Sequence, residues 1–199
     1  MKIVLASKNT HKLKEMREIL SAQGVEVVLE SDVGADVEVE ETGTTFEENS
    51  LLKARAVMEK TGLPAIADDS GLAVDALNGA PGVYSARYGG PELDDQGRYR
   101  LLLSNMRGQV DRKCRFVSVI TLCMPDGAVI SARGECPGTL GYAPQGENGF
   151  GYDPVFFVPE KKKTFAQLTA EEKNAISHRA VALREFQMKW ERYLHGLDK

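Results

Sequence analysis

This sequence lacks most of what would mark a membrane-spanning, secreted or polymer-binding protein. No apolar run approaches the roughly 18 residues needed to cross a bilayer. The opening stretch Met1-Lys2-Ile3-Val4-Leu5-Ala6 is too short for a signal peptide and reads as a first strand. Cysteine is scarce: Cys114, Cys123 and Cys136 form an odd set without CxxC spacing. They fit reduced, structural thiols of a cytoplasmic protein better than disulfides or zinc ligands. The three histidines, His11, His178 and His195, are too scattered to suggest a metal cluster. Basic excess is missing too, because the net charge is −4. A large nucleic-acid surface would need that excess, whereas a single nucleotide needs only a local basic pocket. There is no internal repeat and no low-complexity linker, so 199 residues suit one domain, at most with two lobes.

The patterning predicts the elements. Ile3 to Ser7 reads as a buried strand. Thr10 to Ala22 reads as a helix with Leu13, Met16, Ile19 and Leu20 on one face and Gly24 as its stop. Val25 to Glu30 is a second strand. Thr45 to Lys60 is a helix opened by a capping box, Thr45 with Glu48, and closed by Gly62. Short strands are expected at Ala65 to Ala67 and Leu72 to Val74, and a helix at Gln96 to Met106. A hairpin joins Phe116–Met124 to Ala128–Gly134 across Pro125-Asp126-Gly127, with further strands at Pro137–Tyr142 and Val155–Val158. Ser177 caps a final helix that buries Leu183, Phe186 and Trp190. Strand–helix–strand order giving way to a meander predicts an α/β fold with a mixed, twisted sheet and flanking helices.

The stretch Asp68-Asp69-Ser70-Gly71-Leu72 lies between two apolar runs, Leu63 to Ala67 and Leu72 to Leu77. Ionised carboxylates are rarely buried without a partner or a metal. One or two carboxylates plus substrate phosphates are the usual setting for Mg²⁺. An Asp-rich turn or a solvated pair at a strand end reads the same residues equally well. In extended chain successive side chains point to opposite faces, so only one of the two can serve a given metal.

Five other segments carry chemistry. Ser7-Lys8-Asn9-Thr10-His11-Lys12 joins a strand to a helix, where N–H groups and the helix dipole favour an anion; a plain capped turn with solvated lysines is the alternative. It is no Walker loop. Glu40-Glu41-Thr42-Gly43 precedes a helix on which Asn49 and Lys53 share a face. Glu41 or Glu40 could add a metal oxygen, and Glu47 and Glu48 read as acids favoured by the dipole. Gly79 to Tyr88 sets Arg87 after a reversal, as a phosphate fork or a structural ion pair. Gly146 to Pro154 combines three glycines with Phe150, Tyr152 and Asp153, which suits a flat stacked ligand or a tight packed loop. A last cluster, Lys173 with His178 and Arg179, gathers donors where a helix begins.

Taken together and in order, these segments resemble the inosine triphosphatase family of non-canonical purine nucleoside triphosphate pyrophosphatases, in its bacterial dITP/XTP branch. The matching parts are Ser7 to Lys12, Glu41-Thr42-Gly43 with Phe46 and Asn49, Ala67 to Leu72, Gly79 to Tyr88, Phe150 to Pro154, and Ser177-His178-Arg179. Lys8 stands where the family usually has glycine.

The resemblance implies an elongated two-lobed fold with the active-site cleft between the lobes, a homodimer, Mg²⁺ dependence, and cytoplasmic hydrolysis of ITP, dITP and XTP to monophosphate and pyrophosphate. It implies Asp69 as general base and metal-linked carboxylate, with Glu41 as its partner at the metal. Ser7, Asn9, Lys12, Lys53 and Ser70 would face the triphosphate, within a binding segment that includes Lys8, Thr10 and His11. Phe150 would stack on the base, with Gly151, Tyr152, Asp153, Lys173, His178 and Arg179 around it. Two rivals remain: a pyrophosphatase acting on pyrimidine or methylated nucleotides, and a nucleotide-binding module without catalysis.

Overall fold

The computed structural model describes residues 1–8, 10–20 and 24–196, without the side chains of Thr10, His11, Glu15, Glu18 and Ile19. The elements run β1 (Lys2–Leu5), α1 (Thr10–Leu20), β2 (Glu26–Leu29), α2 (Phe46–Thr61), β3 (Ala65–Val74), α3 (Asp95–Asn105), β4 (Lys113–Cys123), β5 (Val129–Leu140), β6 (Phe156–Val158), β7 (Lys163–Thr164), α4 (Ala170–Ile176) and α5 (His178–Leu194). The strands form a seven-stranded sheet in the order β2-β1-β3-β4-β5-β6-β7. β1 is parallel to both β2 and β3, while β6 is antiparallel to β5 and β7. The sheet is therefore mixed, as the sequence pattern predicts. Among the described residues no helix is long and apolar enough to cross a membrane.

The chain divides into two compact units. The first comprises Met1–Asp69, Ser118–Gly134 and Val181–Lys199; the second comprises Ser70–Val117 and Glu135–Ala180. In the first unit the period-two alternation of the strands builds two cores. Ile3, Leu5, Ile66, Ile120 and Leu122 pack with Leu13, Met16 and Leu20 of α1 and Leu183, Phe186 and Trp190 of α5. Val4, Val28, Ala65, Ala67 and Cys123 pack with Ala54 and Val57 of α2. In the second unit Tyr99 and Leu102 of α3 pack with Leu72, Val74, Phe116, Phe156 and Phe165. All three cysteines are buried and unpaired with one another. Burial pushes the Cys114 thiol to about 12 and the Cys136 thiol to about 11.

Several boundaries differ from expectation. The two short strands around the Asp pair are one ten-residue strand, Ala65–Val74. Both carboxylates find cationic partners, so the backbone has no reason to leave the extended state. The strands expected at Ala128–Gly134 and Pro137–Tyr142 are likewise one, Val129–Leu140; Pro137 lies on it exposed, and the ladder to β6 is formed beyond it at Thr139 and Leu140. Helix α4 is unforeseen, although Thr169 and Glu172 form a full capping box at its start. The expected capping box of α2 is present, and Gly62 ends that helix at φ 66°. Ala22, expected at the end of α1, lies outside the described residues, as does the side chain of Ile19.

Gly71 of β3 lies against the 82–85 turn. A Cβ there would strike the Gly82 carbonyl oxygen and the Ser85 hydroxyl. That hydroxyl already accepts from the Leu72 N–H (2.9 Å) and donates to the Gly82 carbonyl (2.7 Å). Gly71→Ala is expected to lower stability by about 1–3 kcal/mol, read from the urea midpoint. An unchanged midpoint would show that the turn yields at no cost.

Candidate active site

Asp68 and Asp69 are both almost fully buried in β3, at 1% and 6% exposure, and their partners come from opposite faces of the sheet. Asp68 Oδ1 accepts from Ser118 Oγ at 2.8 Å, and its Oδ2 lies 3.2 Å from Lys12 Nζ on α1. Asp69 Oδ1 accepts from Lys53 Nζ on α2 at 2.7 Å. Both lysines also donate to the Asp68 carbonyl oxygen, at 3.1 and 3.2 Å. The alternation of β3 thus splits the pair: Asp68 is held by a serine and α1, Asp69 by α2.

Lys53 Nζ donates in addition to Glu41 Oε1 at 2.8 Å. Of the two adjacent acids it is Glu41 that Lys53 reaches, while Glu40 is exposed. The turn carrying Glu41 is fixed by Asn49, one helical turn before Lys53. Asn49 is fully buried, accepts from the Gly43 N–H at 2.8 Å and donates to the Gly43 carbonyl at 3.4 Å. A Cβ at residue 43 would collide with the Asn49 side chain, so this anchor requires glycine.

The charges are tightly balanced. Burial pushes the Asp69 carboxyl above its ordinary value, against the pull of the Lys53 ammonium. Burial alone would lower Lys53, but Asp69 and Glu41 outweigh it and the net shift is upward. The second oxygen of Asp69, Oδ2, is buried and has no hydrogen-bond partner among the described residues. Among those residues no three His, Cys, Asp or Glu side chains converge as a preformed metal site. What exists is two carboxylates bridged by an ammonium, with one carboxylate oxygen left over.

The segment Ser7 to Lys12 is only partly on view. Lys12 joins the Asp68 cluster, as described. Ser7 lines a cavity of about 490 Å³ together with Lys8, Glu30, Ser31, Gly34 and Asp36. Lys8 pairs with Asp36 at 2.8 Å, but both side chains are more than 70% exposed, at 72% and 76%; such a pair contributes little to stability. Asn9 and the side chains of Thr10 and His11 lie outside the described residues.

In the second unit, Asp153 organises the glycine-rich loop. It is buried, and its Oδ2 accepts from the Phe150 N–H at 3.0 Å and from Lys173 Nζ at 2.6 Å. Gly149, at φ 77°, brings the backbone so close that a Cβ would overlap the Asp153 carboxylate. Burial raises the Asp153 carboxyl, against the Lys173 ammonium. The Lys173 ammonium also sits 5.0 Å from the Phe150 ring centre and 5.4 Å from that of Phe165. Phe150 itself is half-exposed, at 49%, so part of its ring can meet a ligand. Gly151 donates its N–H to Asp95 Oδ2 at 2.8 Å.

Tyr152 is buried and its hydroxyl donates to the Ser85 carbonyl at 2.8 Å, which gives it a structural task. His178 is buried and stacks on Phe116 at 4.8 Å and 16°. Arg179 is buried and its Nη2 donates to Ser70 Oγ at 3.3 Å. Arg87 is exposed, with its guanidinium 5.0 Å from the Tyr84 ring centre. Sequence reasoning missed Ser118 and Asp95. Ser118 left a trace, one of two hydroxyls, with Thr121, in the otherwise apolar run Phe116 to Cys123; Asp95 lies just ahead of the helix expected at Gln96 to Met106, where an acid is ordinary.

The chain matches the Ham1 family profile over residues 3–189. It is 54% identical to a Haemophilus influenzae protein named dITP/XTP pyrophosphatase, over 92% of this chain and 95% of that one. It is 49% identical to a protein of the same name from Escherichia coli, over 92% and 94%. Among solved structures, the Staphylococcus aureus Ham1 protein superposes with a TM-score of 0.90 at 42% identity, with full coverage of both chains (100% and 100%). A HAM1 protein from Coxiella burnetii gives 0.90 at 44% identity, covering 94% of this chain and 97% of that one. A profile match from the first strand to the last helix, with relatives sharing half of all residues, leaves one assignment: the chain belongs to the Ham1 family.

Proposed function

We propose that this protein hydrolyses non-canonical purine nucleoside triphosphates, ITP, dITP and XTP, between the α and β phosphates. The names of its relatives support the reaction class. The observation in this chain that carries the reading is Asp69: a buried carboxylate with one oxygen tied to Lys53 and the other without a donor.

The residues fit a hard divalent cation. An unpartnered buried carboxylate oxygen is costly and is the kind of donor Mg²⁺ takes, with phosphates completing the shell. Asp69 and Glu41 would hold it, and when bound it supplies charge neutralisation to the phosphates. The chain's own residues do the rest. The Asp69 carboxylate accepts the proton of the attacking water; the water oxygen bonds to the α-phosphorus, the bond to the bridging oxygen breaks, and pyrophosphate leaves. Burial makes Asp69 a stronger base than an ordinary aspartate, which favours this transfer near neutral pH. Lys53 keeps Glu41 and Asp69 together despite their like charge, and Lys12 adds positive charge beside them for the triphosphate.

At the other end of the nucleotide, Phe150 offers a stacking face. Lys173 and His178 offer donors to a 6-oxo group; adenine presents a 6-amino donor there, and donors facing donors discriminate strongly. The same proposal includes a homodimer in the cytoplasm, as the family resemblance implies.

A pyrophosphate-release assay with ITP, dATP and dTTP, with and without a chelator, tests this. ITP is expected to be preferred over dATP by about 100-fold or more, and chelation to abolish release. Preference for dTTP would establish a pyrimidine enzyme instead, and nucleotide binding without release would establish a non-catalytic module.

A further inference from the structure

The loop that presents Phe150 is held at two successive peptide groups. The Phe150 N–H goes to Asp153 Oδ2 at 3.0 Å, and the next N–H, of Gly151, goes to Asp95 Oδ2 at 2.8 Å. Asp153 belongs to the loop itself. Asp95 does not; it is the first residue of α3, an element otherwise committed to the core through Tyr99 and Leu102. Gly151 itself takes a left-handed conformation, φ 61°. The other oxygen of Asp95, Oδ1, accepts from Arg98 Nη1 at 3.3 Å, one turn along α3. Asp95 also sits where the helix dipole favours a carboxylate. Its orientation is therefore set by its own helix, and the loop is tied to it.

From this geometry we infer that Asp95 is a positioning residue: it latches the Gly151 backbone to α3 and so presents the Phe150 ring ready for the base. Phe150 is half-exposed, with the Lys173 ammonium 5.0 Å from its ring centre. Its ring direction depends on the backbone on either side: the Phe150–Gly151 peptide is held at its oxygen by the Asp153 N–H (3.2 Å) and at its N–H by Asp95, so Asp95 is the tie that joins it to α3. With the tie to α3 released, part of the loop's order must be supplied at the moment of binding, and that cost appears in affinity. It falls equally on ground and transition states, so KM rises while kcat stays. The inference rests on the base-stacking role proposed above.

Two variants and two readouts test it. Asp95→Ala is expected to raise KM for ITP about five- to tenfold, the equivalent of one lost solvent-exposed hydrogen bond, with kcat within about twofold. Asp95→Asn keeps an acceptor for the Gly151 N–H and is expected to recover most of the loss. Amide exchange at Phe150 and Gly151 is expected to speed up in Asp95→Ala and not in Asp95→Asn. A KM unchanged in Asp95→Ala overturns the inference, as does a parallel loss in both variants. Should the wild type release no pyrophosphate from ITP, the functional reading fails on its own; the exchange rates then still decide the latch, which is refuted if Asp95→Ala leaves them as they were.

Discussion

Asp69→Asn is expected to leave a folded, nucleotide-binding protein whose kcat on ITP is lower by about 10²–10⁴-fold, the usual weight of a positioned general base. The asparagine fits the same space and still accepts from Lys53, which also keeps Glu41 at 2.8 Å. What disappears is the negative charge and the basicity of the carboxylate. Stability moves the other way or hardly at all. Burial raises the carboxyl of Asp69, which means the fold disfavours its ionised form; a neutral amide does not carry that cost. Steady-state kinetics, nucleotide titration and a thermal melt read the three quantities separately. Turnover near the wild-type rate would remove Asp69 from catalysis, and a collapsed melting transition would make it a structural residue.

The second large effect is at Lys173. Lys173→Met strands the Asp153 carboxylate, which is 3% exposed, without its cation. Breaking a buried pair from one side costs about 3–5 kcal/mol. The sign of the accompanying pH effect follows from the same burial. Asp153 already titrates above an ordinary aspartate in the fold, and loss of Lys173 raises it further. A group whose folded value lies above its unfolded one favours the fold once protonated, so this variant regains stability as pH falls through that value. The pair Lys173→Met with Asp153→Asn removes both charges and is expected to restore most of the stability. It is not expected to restore the preference for ITP over ATP. If the double variant discriminates as the wild type does, Lys173 holds the loop together and reads nothing.

Much of this protein is visible in its sequence because much of it is local. The capping box at Thr45 and Glu48 and the glycine at 62 delimit α2 with no help from the rest of the chain. Alternation alone separates the duties of Asp68 and Asp69, since neighbours on a strand cannot share a face. What escaped depends on distant partners. The break expected between Ala67 and Leu72 is absent because Lys12, Lys53 and Ser118 reach the carboxylates from three other elements. The Asp153–Lys173 pair joins residues 20 apart across two further strands, and Asp95 reaches its loop across 56 positions. Helix α4 is short, seven residues, and buries no side chain fully, so it casts no apolar stripe.

The sealed thiols carry a practical consequence. Reagents attack the thiolate, and at neutral pH Cys114 and Cys136 hold almost none of it in the native state. Cys123 is buried as well and its thiol is likewise raised, so a chromogenic disulfide mixed with the protein is expected to colour only as fast as the interior opens, a built-in clock for unfolding that requires no engineered label.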